Sequence, residues 1–138
     1  MKVILAFGGR TKLPQAREIV ERFVKMSRRF LSCKVEYFKD LKDCDDLKSR
    51  YRGAIIVGLS PDGVEPDSEG FAEILKEAMD SGRDIIFAVG GAEGFSVDGC
   101  AKIISLSKMT FSHETARIMV AEQVFRALCL IFGHPYPK

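Results

Sequence analysis

The sequence predicts an α/β fold, a parallel sheet flanked by helices. Short apolar runs such as Gly53 to Leu59 and Asp84 to Val89 are rich in β-branched residues and read as strands buried on both faces. Between them lie longer segments with apolar residues at helical spacing, and strands that alternate with helices form parallel βαβ units. The last helix has almost no polar face, which predicts burial on every side.

The elements follow in order. Lys2 to Phe7 is a short apolar strand ended by Gly8-Gly9. Pro14 opens a helix, a position where its missing N–H costs nothing. Ala16, Ile19, Val20, Phe23, Val24 and Phe30 give that helix an apolar stripe, and Arg17, Arg22, Lys25, Arg28 and Arg29 occupy much of the rest. Val35 to Phe38 is a second strand. Asp40 to Arg50 reads as a polar helix with little to bury. Gly53 to Leu59 is the third strand, and Ser60-Pro61-Asp62-Gly63 is turn chemistry. Ser68 is placed to cap a helix from Glu69 to Met79 that Ser81-Gly82 ends. Asp84 to Val89 is the fourth strand, Ile103 to Leu106 a short fifth, and the final helix runs from His113 to Phe132.

The 138 residues fit a single domain, 1–138, large enough to bury a core without metals or disulfides. With 46% apolar and 29% charged residues the composition is that of a soluble globular chain, not a disordered or membrane-embedded one. Val3 to Phe7 is too short for a secretory apolar region, and Glu122 and Arg126 interrupt the most apolar stretch, so a cytoplasmic protein without a membrane span is expected. Cys33, Cys44, Cys100 and Cys129 form no C-x-x-C pair and only two histidines are present, so no metal is expected and all four cysteines read as buried free thiols. Charge is unevenly spread. Residues 1–52 hold 14 Lys+Arg against 7 Asp+Glu, whereas residues 53–138 hold 7 against 12. A basic half is either a nucleic-acid footprint or a solvated basic helix.

Three segments are candidates for chemistry. Gly90-Gly91-Ala92-Glu93-Gly94 follows the fourth strand, where ligands bind parallel sheets and where glycines admit close backbone approach. An ordinary strand-to-helix turn explains it equally. Ser105 to Phe111 mixes apolar residues with free backbone amides, which suits a loop around an adenine or a thioether; a plain β–α connection explains it as well. In the last helix, at about 100° per residue, Arg117 lies about 40° from His113, whereas Glu122 and Arg126 lie on the opposite face at ion-pair spacing. Such polar pairs in an apolar helix either set a dimer register or line a site. The tail Gly133 to Lys138 is either disordered or folded back over a site through His134 and Tyr136.

Several blocks in one order make the sequence similar to a known family. These are Phe87 to Ser96, Ser105 to His113, Ala116-Arg117, Ala121-Glu122-Gln123, Phe125-Arg126-Ala127 and His134-Pro135-Tyr136, with thinner matches at Leu59, Asp62-Gly63, Ser68-Glu69, Phe71-Ala72 and Gly8-Gly9. Together they resemble the bacterial large-subunit rRNA pseudouridine N3-methyltransferases of the SPOUT superfamily. The resemblance implies a C-terminal trefoil knot, a homodimer packed through the first and last helices, and S-adenosyl-L-methionine (SAM) held by three loops. In this sequence those loops map to Leu59, Gly90 and the run Leu106, Ser107, Lys108, Met109, Thr110 and Phe111. It also implies that His113, Arg117, Glu122, Arg126 and Tyr136 form the active site, with the arginines on phosphate or on the SAM carboxylate and Glu122 orienting an arginine. The acceptor would be ribosomal RNA or the ribosome, with no metal. Other readings compatible with these residues are methylation of another RNA such as tRNA, a non-catalytic RNA-binding dimer, or an unrelated flavodoxin-like nucleotide-binding module. The chain departs from the family at three places. Pro137 stands where a histidine is usual, Ser60 follows Leu59 where Asp is usual, and the region around Asp40 to Arg52 is shorter.

Overall fold

Alternation along the first strand, β1 (Lys2–Gly8), divides the core in two. Val3, Leu5 and Phe7 point into one hydrophobic cluster, and Ile4 and Ala6 into another. The computed structural model describes residues 1–92 and 94–136. After β1 come α1 (Pro14–Ser27), β2 (Ser32–Phe38), α2 (Cys44–Lys48), β3 (Ile55–Val64), α3 (Ser68–Ser81), β4 (Ile85–Val89), β5 (Lys102–Ile104) and α4 (His113–Phe132). The sheet has the order β2-β1-β4-β3-β5, and every pair is parallel.

The two faces are covered unequally. On the first, Val57, Ile85, Phe87 and Val89 continue the β1 row and pack against α1, α3 and α4. There Phe71 of α3 stacks on Phe87, centroids 5.0 Å apart. On the second face, Ile56, Ile86 and Ala88 pack against Leu41, Cys44 and Leu47 of α2 and its flank, with half-buried Phe95 and Cys100 from the segment after β4 beside them. Leu41, Cys44 and Leu47 are essentially fully buried. The segment expected to have little to bury therefore supplies three buried side chains to this sheet face.

Other expectations are also revised. The Ser60 to Gly63 segment remains in β3; Leu59 and Val64 both pair with Ile104, so the residues between them form an irregularity in the ladder, not a free turn. β2 begins at Ser32, earlier than its apolar run, because β1 supplies a partner for each residue from Ser32 to Phe38. Ile19 of α1 is exposed. Cys33 and Cys129 are buried free thiols, and burial pushes the Cys33 thiol up to about 12. Cys44 and Cys100, however, are joined as a disulfide across a sequence separation of 56. Both lie on the α2 face with Cα atoms 5.9 Å apart, a proximity that only the tertiary fold creates.

The cap of α3 is Asp67, whose carboxylate accepts from the Gly70 amide at 2.7 Å; Ser68 is the first helical residue and its hydroxyl reaches Gln123 of α4. Asp67→Ala is expected to lower stability by about 1 kcal/mol, and Ser68→Ala by less, in urea unfolding. Equal effects of the two substitutions would contradict this capping scheme.

Candidate active site

The carboxyl ends of β3, β4 and β5 open into one cavity of about 460 Å³. Leu59 and Pro61 line it from β3, Gly90 and Gly91 from the loop after β4, and Leu106, Ser107, Met109, Thr110 and Phe111 from the loop after β5. Three loops distant in sequence thus meet at one concavity. Of the residues assigned to cofactor binding, only Lys108 does not line it; its side chain is exposed. The last loop is braced by its own serines. Buried Ser105 donates to the Ser107 carbonyl at 2.6 Å, and the Ser107 hydroxyl accepts from the Met109 amide at 3.1 Å. Such bracing fixes backbone that belongs to no helix or strand.

The cavity floor depends on glycine. A Cβ on Gly91 would collide with the Gly8 carbonyl, and one on Gly8 would meet the Gly91 amide nitrogen at 2.7 Å. A Cβ on Gly90 would meet the Phe95 backbone at 2.8 Å. The loop therefore crosses β1 and folds on itself at distances that side chains would prevent. Glu93, inside this loop, lies outside the described residues.

Helix α4 contributes His113 and Ala116 to the cavity. Ser112 caps this end, its hydroxyl accepting from the Thr115 amide at 3.2 Å. His113 is the one imidazole among the described lining residues.

Arg117, expected to touch substrate or cofactor, is 0% exposed. It donates to Thr11 Oγ1 at 3.0 Å and to the Gly8 carbonyl at 2.8 Å, and its guanidinium lies 4.8 Å from the Phe7 ring centroid. Burial lowers its pKa, against the opposing effect of Glu114. Arg117 is thus a positioning residue: it holds the end of β1, against which Gly91 packs. Glu114 works beside it and was not expected from the sequence. Its Oε1 accepts from the Lys12 and Leu13 amides at 2.8 and 2.7 Å, and Oε2 lies 3.6 Å from Arg117. Helical spacing places Glu114 next to Arg117, but nothing local announces that it clamps a loop a hundred residues earlier.

Glu122, Arg126 and Tyr136 form a separate cluster. Gly133 ends α4 and the tail turns back along it, so that the Tyr136 hydroxyl donates to Glu122 at 2.9 Å while the Arg126 guanidinium lies 4.2 Å from the Tyr136 ring centroid. The expected Glu122–Arg126 ion pair is replaced by this arrangement, with the tyrosine between the two. Burial, then the bond to Glu122, pushes the Tyr136 phenol above its usual range. At about 1.5 Å per residue, Arg126 lies about 20 Å along the helix from His113. The residues assigned to one active site are therefore at two places in the chain, the cavity and the far end of α4. Pro137 and Lys138, where the family's usual histidine is lost, lie outside the described residues.

Among the described residues no helix is long and apolar enough to cross a membrane, and no group of three or more His, Cys, Asp or Glu is arranged to hold a metal. The chain is 36% identical to a protein named ribosomal RNA large subunit methyltransferase H from Solibacter usitatus, over 99% of both chains. Proteins of the same name from Trichlorobacter lovleyi and Campylobacter hominis are 31% and 36% identical, over 99% and 89% of each chain. Residues 1–137 match the family described as predicted SPOUT methyltransferase. A parallel sheet, a cavity assembled from the loops after three neighbouring strands, and a match that runs through all of these elements agree: the chain belongs to the SPOUT methyltransferase family.

Proposed function

We propose that this protein is a SAM-dependent methyltransferase of large-subunit ribosomal RNA that acts as a homodimer in the cytoplasm, with N3 of a pseudouridine as the acceptor. The observation that carries the reading is the cavity. Its volume of about 460 Å³ is that of a small-molecule site, its walls at Leu59, Leu106 and Phe111 are apolar, and its glycine floor exposes backbone amides. These features fit a purine, a ribose and a thioether chain. When bound, SAM supplies an electrophilic sulfonium methyl. The protein's own contribution is orientation of the acceptor nitrogen in line with that methyl, exclusion of water, and acceptance of the displaced imino proton. His113, at the cavity rim, is the residue proposed to take that proton, directly or through water.

The same reading assigns Glu122, Arg126 and Tyr136 to the partner protomer's cavity. They lie too far along α4 to serve their own, and α4 together with α1 carries exposed apolar side chains at Ile19, Leu130 and Phe132 that a second copy would cover. In this arrangement Arg126 holds the acceptor's phosphate, with Glu122 and Tyr136 fixing its direction. The proposed trefoil knot comprises the segment from β5 into α4. Its support is the match to the SPOUT methyltransferase family.

Two measurements test the function. Calorimetry with SAM is expected to show one site per chain, and radiolabelled methyl is expected to pass to ribosomal RNA in particles from a strain lacking the gene. Absence of heat with both SAM and its demethylated product would refute the enzyme reading. Transfer to tRNA instead would reassign the acceptor, and SAM binding without transfer to any RNA would leave only the non-catalytic dimer.

A further inference from the structure

The cofactor cavity shares Gly91, Ala92, Gly94, Phe95 and His113 with a second groove of about 800 Å³. Two loops form the rest of that groove. The β1–α1 loop brings Arg10 and Lys12, and the β2–α2 loop brings Lys39 and Lys42, with Asp40 as the single carboxylate among the described lining residues. All four cations are exposed. They are not one face of a solvated helix: they converge from two loops onto one concavity, where the field of each adds to the others.

The loops are anchored through backbone, which leaves the charges unused. The Gly9 amide donates to the Phe38 carbonyl at 2.8 Å, the Ser96 amide to the Lys42 carbonyl at 2.7 Å, and the Lys12 amide to Glu114 at 2.8 Å. Among the described residues, none of the four cationic side chains makes a hydrogen bond or an ion pair. Gly91, which lines both cavities, crosses Gly8 so closely that neither position admits a Cβ. Half-buried Phe95 stands at the border.

We infer that this groove is the track of the acceptor RNA strand. Arg10, Lys12, Lys39 and Lys42 hold successive phosphates, and the acceptor nucleotide turns out of the strand over Gly91 and His113 into the cofactor cavity, with Phe95 as a stacking surface. A base must leave its stack for chemistry on a ring atom, and a phosphate-binding trough beside the cavity supplies the grip that holds the strand while it does. Glu114 acts as a positioning residue by fixing the backbone of Lys12. The inference rests on the RNA-methyltransferase reading and adds the residues that bind the acceptor.

The test uses the full-length protein and Lys39→Ala/Lys42→Ala. Binding of a fluorescent oligouridine is followed by anisotropy over a range of salt concentrations, together with SAM calorimetry and methyl transfer to ribosomal particles. The double substitution is expected to flatten the plot of log K against log salt by about 1.4, at about 0.7 for each phosphate no longer neutralised. It is also expected to raise KM for the acceptor at least about tenfold and to leave SAM affinity unchanged. Lys76→Ala, on α3 and outside both cavities, should leave the salt slope as it is. An unchanged slope and KM in the double variant would overturn the inference, as would loss of SAM affinity along with RNA affinity, or equal displacement of the oligouridine by polyglutamate. Because oligouridine binding needs no methyl transfer, failure of the enzyme reading is seen separately, as a wild-type protein that binds no SAM.

Discussion

Two variants that are inactive alone are expected to restore methyl transfer when mixed. Arg126→Ala removes the guanidinium from the cluster at the end of α4, and Ala116→Phe fills the cavity from the same helix at its other end. Each pure dimer then lacks both of its working sites if the cavity of one protomer uses the α4 cluster of its partner. In a mixed dimer, one cavity is intact and faces an intact cluster. Random exchange at equal concentration should therefore recover about a quarter of wild-type activity. If the cluster served its own chain, mixing would recover nothing, since every protomer would carry one defect. The same result would appear if protomers failed to exchange, so the two variants are co-expressed with different tags and the doubly tagged dimer is isolated before assay. Inactivity of that species would refute the shared site. The expected contrast is large because acceptor orientation is an all-or-none requirement for in-line transfer: misplacement by about 1 Å costs about a hundredfold.

Replacing Arg117 is expected to have the largest effect on stability. Its side chain is fully buried between Phe7, Thr11, Gly8 and Glu114. Arg117→Met keeps much of the volume but removes two hydrogen bonds and leaves the Glu114 carboxylate buried without a cation. Oε2 of Glu114 already has no hydrogen-bond partner among the described residues. Breaking a buried pair on one side costs about 3 kcal/mol. For a domain of this size that is about 10 °C in Tm at a fixed protein concentration. Glu114→Gln added to Arg117→Met should recover part of the loss, because the remaining amide can still accept from Lys12 and Leu13 without carrying charge. A Tm within about 2 °C of wild type for Arg117→Met would mean that the arginine is not integral to the core.

Arg117 also shows where reading a sequence stops. Its type and its position on α4 mark it equally as an active-site cation and as an internal brace. The difference is whether the helix face that carries it meets solvent or the end of β1, and that depends on packing between segments about a hundred residues apart. Glu114 was missed for the same reason. Its partners are backbone amides at 12 and 13, and backbone amides leave no mark in a sequence. The reading of Cys44 and Cys100 as free thiols fails for the same reason, since neither cysteine has a local pattern that marks its partner.

Elements were legible where one physical cause dominated. Helix α4 has the range its apolar run predicts, His113 to Phe132, and the structure shows what fixes those ends: the Ser112 cap and Gly133 in the left-handed region. The buried strands β1, β3 and β4 were found because apolar β-branched runs have few alternatives in a parallel sheet. Boundaries failed where a neighbour rather than local chemistry decided them. β2 reached back to Ser32 because β1 pairs with it, and β3 ran on to Val64 because β5 does.

By itself, then, the sequence determined the fold class and the alternation of elements through apolar periodicity, and marked the segments after β4 and β5 as candidate ligand loops, whereas the loop at Leu59 entered only through the resemblance to the family. Only the tertiary structure decided which of the marked side chains share a place. It brought Leu59, Gly90 and most of the run Leu106 to Phe111 around one cavity, withdrew Arg117 into the core, and left Glu122 and Arg126, with Tyr136 folded back on them, about 14 to 20 Å along α4 from His113. The physical reason is that hydrophobic patterning states how buried a residue is, whereas what it is buried against follows from strand order and helix packing.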